Sequence, residues 1–245
     1  AYGTVASQFC AMSAVLVYRA RRESGFRPWR ELLSSSRAHW GELLALGAPT
    51  SLGYIGLALS AGLTLYCLQL WAGESYAATA GAFGIITRLM TFSFLPLLGL
   101  SMAFQTIAGN NYGAGMKARS DRSILLAAGL ALIYCAVVET VYLTTRAEIG
   151  FIFVDDPEIA GEIARILPYA VVTMILFGPL MMIGAYFQAI GDARRAAALG
   201  LSRTYLFALP LTFLLPFAFG EPGIWYAGAF AELLVLVLTL MILAH

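Results

Sequence analysis

The sequence has little charge for its length. Only 12% of its 245 residues are Asp, Glu, Lys or Arg, whereas soluble domains contain about 25% of these residues. Because 60% of the residues are hydrophobic, the chain has too few polar side chains to cover a water-soluble globule of this size. The composition therefore excludes an ordinary soluble domain and predicts an all-α membrane protein with the lipid bilayer as its surroundings.

The sequence is also poor in the residues that build metal sites and catalytic centres. It has two histidines, His39 and His245, and three cysteines, none of them in a CxxC or Cys/His spacing. It contains no phosphate-binding loop and no catalytic-triad pattern. We therefore expect no enzyme activity, no metal and no cofactor. Cys10, Cys67 and Cys135 each lie in an apolar run, so we expect three buried thiols.

Basic residues occur in separate short segments and not on one face, which argues against a nucleic-acid partner. Short polar segments divide the chain into seven apolar runs, at about 2–18, 43–71, 77–110, 123–145, 166–190, 199–219 and 225–243. A helix of about 20 apolar residues crosses a bilayer. The runs therefore predict a polytopic transmembrane helical bundle, in which the first run is close to the minimum length.

The cations lie in alternate segments between the runs. One set of segments holds eleven of them: Arg19, Arg21, Arg22, Arg27, Arg30, Arg37, Lys117, Arg119, Arg122, Arg194 and Arg195. The opposite segments hold only Arg146 and Arg165, together with most of the acidic residues. Because Lys and Arg collect in cytoplasmic loops, the first set is predicted to lie inside the cell. The predicted location is the plasma membrane, which is the inner membrane in a bacterium.

Short motifs stand at the ends of four runs. They are Gly47-Ala48-Pro49; Leu95-Pro96 followed by Gly99, Ala103 and Gly109-Asn110-Asn111-Tyr112-Gly113-Ala114-Gly115; Tyr186-Phe187-Gln188-Ala189-Ile190-Gly191-Asp192; and Gly223-Ile224-Trp225-Tyr226-Ala227. In these motifs, from about residue 43 to the end, the chain resembles the multidrug and toxic compound extrusion (MATE) transporters. The resemblance implies efflux of small organic, cationic compounds in exchange for H⁺ or Na⁺.

The resemblance also implies twelve membrane helices in two six-helix lobes. Residues 1–18 are then the last helix of an N-terminal lobe that this sequence lacks, residues 19–42 the cytoplasmic linker, and residues 43–245 the C-terminal lobe. The linker is equally well interpreted as an amphipathic interface helix or as a solvated segment. The chain begins at Ala1 inside an apolar run and ends at His245 with a span only just complete. We therefore expect half of a two-lobe, alternating-access transporter.

Four ionisable residues fall inside the predicted spans, where charge is costly and usually functional. Glu232 is the main candidate for attracting a cationic substrate or binding a proton; the alternative is a carboxyl group hydrogen-bonded between helices. Arg88 lies at mid-depth, and a structural ion pair with Glu139 or Glu232 is favoured over a substrate contact. Glu139 lies nearer the outer end and is expected to be partly hydrated. Arg203 is expected to extend to the cytoplasmic interface.

Polar and aromatic side chains supply further pathway candidates. Gln105 lies at the cytoplasmic end of the third span, where interhelical hydrogen bonding is the favoured interpretation. Tyr54 and Tyr186 could form aromatic walls for an organic cation, although tyrosines are also common at membrane interfaces. Four prolines are interpreted either as hinges or as static kinks: Pro49, Pro96, Pro179 and Pro210.

The spans at 43–71 and 166–190 have no acidic residue in their bodies, although some members of the family carry cation-coupling acids there. We therefore expect the coupling site for H⁺ or Na⁺ in the N-terminal half that this sequence lacks. Two other functions stay open. A related flippase for lipid-linked saccharides would need a cationic cleft, for which only Arg88 and Arg203 are available. A non-transporting, truncated membrane module would need a gene as short as this chain.

Overall fold

Helices form the structure, a computed structural model that describes residues 2–22 and 40–244 and contains no strand in those ranges. The helices are α1 (Tyr2–Arg22), α2 (Trp40–Trp71), α3 (Tyr76–Gly113), α4 (Lys117–Thr145), α5 (Pro157–Val171), α6 (Met174–Ala189), α7 (Ala193–Leu201), α8 (Leu209–Phe219) and α9 (Pro222–Ala244). A π-helix (Ser202–Ala208) joins α7 to α8, and 3₁₀ turns cover Gly73–Ser75 and Ile149–Ile152. The all-α fold class is confirmed.

The chain divides into two contact units. The first, Ala1–Ala45, contains α1, whose apolar stretch Val5–Tyr18 is shorter than a full bilayer span. The second, Leu46–His245, contains most of α2 and all of α3 to α9. The predicted linker at residues 19–42 falls largely outside the described residues, and α2 begins slightly earlier than its predicted span.

Five helical segments in the described ranges are long and apolar enough to cross a membrane. They are Ser51–Trp71, Gly73–Gly113, Lys117–Thr145, Ala193–Phe219 and Pro222–Ala244. The fifth predicted span, residues 166–190, is instead a pair of helices, α5 and α6, that begins at Pro157 and bends by 46°. Taken together, this pair supplies a sixth span.

The beginning of α5 follows from its first residues. Asp156 accepts a hydrogen bond from the backbone N–H of Glu158 at 2.9 Å, and Pro157 lies in the first turn. Aspartate is a favoured N-cap, and the fixed φ of proline suits the first helical position. The polar cap therefore ends the preceding loop and sets where the bent span starts.

Two hydrophobic clusters hold the second unit together. The first joins α2, α3, α5 and α9 and includes Leu68, Ile86, Leu167 and Trp225. The second joins α3, α4 and α6 and includes Leu97, Cys135 and Met182. In lipid, where water does not drive helices together, such contacts depend on close van der Waals packing.

Helices α4 and α6 approach most closely at Gly178. A Cβ atom there would lie 2.7 Å from Sγ of Cys135 and 2.9 Å from the carbonyl oxygen of Ala131. Cys67 and Cys135 are buried as predicted, but Cys10 is exposed on α1. The prediction of three buried thiols is therefore wrong for Cys10, because an apolar position in a membrane helix need not be buried in protein.

The outward faces of the second unit are apolar. Leu125 is 74% exposed and Ile133 is 62% exposed on α4, and Leu240 is 58% exposed on α9. Large aliphatic side chains on this scale are unfavourable in water but stable in hydrocarbon. The structure thus describes an integral, multi-pass membrane protein.

Candidate functional site

An ion pair lies inside the second unit, between the π-helix and α9. Nη2 of Arg203 is 3.3 Å from Oε2 of Glu232, and the two side chains are only 22% and 13% exposed. The sequence analysis paired Glu232 with Arg88 and expected Arg203 to extend to the interface. Both expectations are wrong, because the π-helix directs Arg203 towards α9.

The π-helix places Arg203 against two other helices. The guanidinium lies over the ring of Phe177 on α6, with its carbon 4.6 Å from the ring centroid. The π-helix also touches α2, because a Cβ at Gly56 would lie only 2.6 Å from Cγ2 of Thr204. Tyr205 donates a hydrogen bond to the carbonyl oxygen of Leu52 at 2.7 Å. These contacts fix the segment that carries Arg203.

The Arg203–Glu232 pair is poorly hydrogen-bonded. Oε2 of Glu232 is buried and has no hydrogen-bond partner. No oxygen among the described residues accepts a hydrogen bond from Arg203, although a guanidinium carries five N–H donors. Leaving such groups unbonded is costly away from water. The guanidinium of Arg203 therefore keeps unused hydrogen-bond donors, and the carboxylate of Glu232 keeps an unused acceptor oxygen.

A cavity of about 280 Å³ borders Arg203. It lies between α3, α6, the α7–π segment and α9, and its polar lining consists of Ser101, Gln105, Gln188 and Arg203. The Gln105 amide donates to Oγ of Ser101 at 3.2 Å, within its own helix. The favoured interpretation of Gln105 as an interhelical bond is therefore corrected. The cavity presents amide, hydroxyl and guanidinium groups inside an apolar bundle.

Glu139 has a different role from the one expected. Its Oε2 accepts a hydrogen bond from the backbone N–H of Ile175 at 2.9 Å, in the first turn of α6. The first N–H groups of a helix have no partner within that helix, and the helix dipole favours a negative charge there. Glu139 on α4 therefore caps α6 across the break after α5. This contact helps to explain why the span can bend at that point.

Arg88 is exposed on α3, and within the described ranges it forms no ion pair. Neither Glu139 nor Glu232 is its partner, because both carboxylates are engaged elsewhere. The expectation of a structural ion pair at Arg88 is therefore wrong for this unit. The mid-depth position alone could not reveal which face of α3 the side chain occupies.

The two tyrosine candidates do not line the cavity beside Arg203. Tyr54 is 68% exposed on α2. Tyr186 donates a hydrogen bond to Asp121 at 2.6 Å and stacks on Phe104, with ring centroids 6.5 Å apart. It borders a separate cavity of about 430 Å³ between α4, α6 and α9. The sequence thus grouped residues that the fold keeps apart.

The region before Pro96 is held by tyrosines of α4. Tyr134 donates to the carbonyl oxygen of Ser93 at 3.0 Å, and Tyr142 donates to the carbonyl oxygen of Leu89 at 3.1 Å. The hydroxyl groups of Tyr142 and Ser93 also lie 2.6 Å apart. A proline removes one backbone donor, and side-chain donors that reach nearby carbonyls stabilise the helix around it. These bonds favour a static role for Pro96 over a hinge.

The other three prolines occupy different settings. Pro179 lies inside α6, beside the close approach at Gly178. Pro210 lies in the first turn of α8, directly after the π-helix. Pro49 falls in α2, in the part whose side chains the structure does not describe. Pro210 is therefore the hinge candidate nearest to Arg203 along the chain.

A second charged cluster was missed by the sequence analysis. Arg165 on α5 bonds both Glu162 and Glu221, with Nη2 at 2.6 Å and 2.8 Å from their oxygens. The spacing of Glu162 and Arg165, three residues apart, was the local signal. Glu221 lies 56 residues further along the chain, so no local pattern could identify it. No group of potential metal ligands occurs in the described part of the chain.

Known proteins resemble this chain in sequence. A family model described as MatE matches residues 57–214. Multidrug and toxin extrusion protein 2 of Oryctolagus cuniculus is 24% identical over 239 residues, which cover 92% of this chain and 37% of that protein. Protein DETOXIFICATION 53 of Arabidopsis thaliana is 25% identical over 239 residues, covering 92% of this chain and 47% of that protein.

Solved structures share the fold. The outward-facing conformation of a multidrug resistance MATE family transporter of the MOP superfamily aligns with a TM-score of 0.74 at 20% identity, over 84% of this chain and 46% of that one. A mutant of the Vibrio cholerae MATE transporter VcmN aligns with a TM-score of 0.79 at 16% identity, over 94% of this chain and 51% of that one. The chain thus spans about half the length of these structures.

Proposed function

The chain belongs to the MatE family, and from that premise we propose that it is the C-terminal lobe of a secondary-active efflux transporter. Residues 43–245 form the lobe, residues 19–42 the cytoplasmic linker and residues 1–18 the last helix of the N-terminal lobe. The substrate is a small organic cation, and H⁺ or Na⁺ moves in the opposite direction. Substrate binds in a cleft between the lobes, which rock to expose it to either side.

The observation that carries this proposal is the buried Arg203–Glu232 pair beside a polar cavity. Ionisable groups within a membrane bundle are costly and mark transport pathways. Oε2 of Glu232 has no hydrogen-bond partner, so a proton or a cationic group can compete with Arg203 for it. Glu232 is therefore the carboxylate of this lobe that we assign to substrate attraction or proton binding. The principal coupling site lies in the N-terminal lobe.

Other candidates take supporting roles in the proposal. Gln105 contributes polarity to the cavity, and Glu139 holds the bend between α5 and α6. Arg88 and Tyr54 are exposed in this unit, and we propose that they are available to the other lobe. A flippase for lipid-linked saccharides is not favoured, because among the described residues Arg203 is the one cation that lines the cavity beside the pair.

The test of the proposal is efflux by the full-length protein in cells that lack their own dye exporters. We expect the protein to lower accumulation of a cationic dye, and collapse of the H⁺ or Na⁺ gradient to abolish the effect. Accumulation equal to that in cells with an empty vector would overturn the proposal. Reporters fused at Gly73 and Lys117 test the orientation: they should lie in opposite compartments, with Lys117 inside.

A further inference from the structure

We propose that the cavity beside Arg203 binds a carboxylate group of a small organic molecule. The inference rests on the proposed transport function, because it names a chemical group that the transported molecule carries. The site is formed by Arg203, Ser101, Gln105 and Gln188, which line one cavity of about 280 Å³. The cavity combines unused hydrogen-bond donors, available space and a local positive charge.

The first step is the state of Arg203. Its one ionic contact with a described residue is a single 3.3 Å approach to Glu232, whereas an arginine–carboxylate pair commonly forms two parallel hydrogen bonds. Within the described residues no oxygen accepts from the guanidinium. The ring of Phe177, whose centroid lies 4.6 Å from the guanidinium carbon, contacts the cation without offering a lone pair to its N–H groups. Arg203 is therefore held in place but still has unused hydrogen-bond donors.

The second step is the composition of the cavity wall. Two amides, Gln105 and Gln188, and the guanidinium of Arg203 line it, and none of the lining residues in the described part of the chain is acidic. The rest of the wall is aliphatic or glycine. Donor groups within a small cavity of otherwise apolar lining recognise an acceptor with several lone pairs, and a carboxylate has about four such sites. The apolar walls accommodate the hydrocarbon part of the same molecule.

The third step is the space left by glycine. A Cβ atom at Gly184 would meet no other atom within 4 Å, and Gly184 lines the cavity. The absence of a side chain therefore keeps the cavity open without any packing need. A larger residue at Gly184 should fill the cavity and leave the helix contacts intact.

Glu232 sets the strength of the site. Its carboxylate is next to Arg203 but is not part of the cavity lining. It therefore opposes an incoming carboxylate through charge, and protonation of Glu232 would strengthen ligand binding. This predicts opposite effects for the two partners, which a purely structural ion pair would not show.

The test uses a pair of xanthylium dyes that differ in one group: one has a free carboxyphenyl group and the other is its methyl ester. Binding to the purified full-length protein is measured by fluorescence polarisation. We expect the wild type to bind the free acid about tenfold more tightly than the ester, as for one charged hydrogen-bonded contact. Equal affinity for the two dyes would overturn the proposal.

Variants separate a binding role from a structural one. Glu232→Gln should increase the affinity for the free acid severalfold. The double variant Arg203→Gln/Glu232→Gln keeps the pair neutral, so it should fold, and should bind both dyes equally. Gly184→Leu should block binding of the free-acid dye, because the leucine side chain fills the cavity. Gly129→Leu on α4 is the control: a Cβ there also meets nothing within 4 Å, and binding of the free acid should not change.

Several results count against the site. A preference for the free acid that survives in the double variant or in Gly184→Leu would overturn it, and so would a loss of that preference in Glu232→Gln. Efflux is read separately. If the wild type prefers the free acid in the binding assay but exports neither dye, the carboxylate site stands and the proposed transport function fails.

Discussion

Arg165 and Arg203 are each paired with glutamate in the same unit, but their surroundings differ. Arg165 donates to Glu221 at 2.8 Å and 2.9 Å and to Glu162 at 2.6 Å and 3.1 Å. Arg203 makes one approach of 3.3 Å to Glu232 and no hydrogen bond to any described residue. Arg165 thus uses most of its N–H donors, whereas Arg203 keeps its donors available.

The partners of Arg165 are also satisfied. Glu162 accepts a hydrogen bond from Thr79 at 3.0 Å, and Glu221 accepts one from Nε1 of Trp225 at 2.5 Å. These five residues, which we call the Arg165 clamp, tie α3, α5 and the start of α9 together. A satisfied network rigidifies a structure. The clamp therefore fits a structural role.

The Arg203–Glu232 pair combines burial with incomplete bonding. Groups that lack partners in a low-dielectric interior raise the free energy of the folded state. The second unit nevertheless keeps this pair next to a polar cavity. The Arg165 clamp therefore stabilises the fold, whereas the Arg203–Glu232 pair is available for a ligand or a proton. The following substitutions test that difference.

The largest loss of stability should come from breaking the pair on one side. Arg203→Gln leaves the carboxylate of Glu232 buried and unpaired, which should lower the free energy of unfolding by about 3–5 kcal/mol. Denaturant unfolding of the purified full-length protein in detergent measures this value. The double variant Arg203→Gln/Glu232→Gln should recover most of the loss. A double variant as unstable as the single one would show that burial of an unpaired charge is not the cause.

The next largest loss of stability should come from disturbing the packing of the π-helix against α2. Gly56→Ala places a Cβ 2.6 Å from Cγ2 of Thr204, so α2 and the π-helix must separate. We expect a loss of about 1–3 kcal/mol from overpacking, together with lower dye efflux because Arg203 is displaced. Gly62→Ala is the matched control, since a Cβ there meets nothing within 4 Å. Equal behaviour of the two variants would argue against the contact.

Breaking the clamp should cost less than breaking the pair. Arg165 is 38% exposed, so water partly replaces its bonds in Arg165→Gln. We expect the free energy of unfolding to fall by about 1–2 kcal/mol, as for charged hydrogen bonds near a surface. Efflux per folded molecule should stay the same. A loss of efflux at unchanged stability would mean that the clamp has more than a structural role.

The smallest loss of stability should come from removing the hydroxyl group of Thr79 from the Arg165 clamp. Thr79→Val keeps the shape of a fully buried side chain but removes its hydrogen bond to Glu162. Because Glu162 keeps Arg165 as a partner, the loss should be about 0.5–1.5 kcal/mol. Thermal unfolding in detergent measures it, with Thr87→Val, whose hydroxyl donates only to its own helix, as the control. A loss above that of Arg165→Gln would reverse the expected order.

The sequence predicted the helices well because they are encoded locally. Apolar runs and polar turns identified the spans from residue 43 onwards, and the structure has six corresponding segments when α5 and α6 are taken together. The break between α5 and α6 could not be predicted from the local sequence in the same way. It is stabilised by Glu139 on α4, which bonds Ile175 across 36 residues.

The pairing of charged side chains was the least predictable part. A helix of ordinary period does not place Arg203 where the π-helix places it, and a π-helix has no clear sequence signal. Glu232 was identified as a candidate because a carboxyl group in a span is costly. Its partner was assigned wrongly, since depth along a span does not reveal the face on which a side chain lies.

The comparison is tested most directly by dye efflux in two glutamine variants of the full-length protein. Glu232→Gln alters the Arg203–Glu232 pair, and Glu221→Gln alters the Arg165 clamp. Each variant replaces one carboxylate by an amide of the same size. Efflux of a cationic ester dye is measured per folded molecule at matched expression. The account predicts that Glu232→Gln lowers efflux about tenfold, equivalent to ~1.4 kcal/mol, while Glu221→Gln leaves it unchanged. Unchanged efflux in Glu232→Gln, or equal loss in both variants, would contradict it.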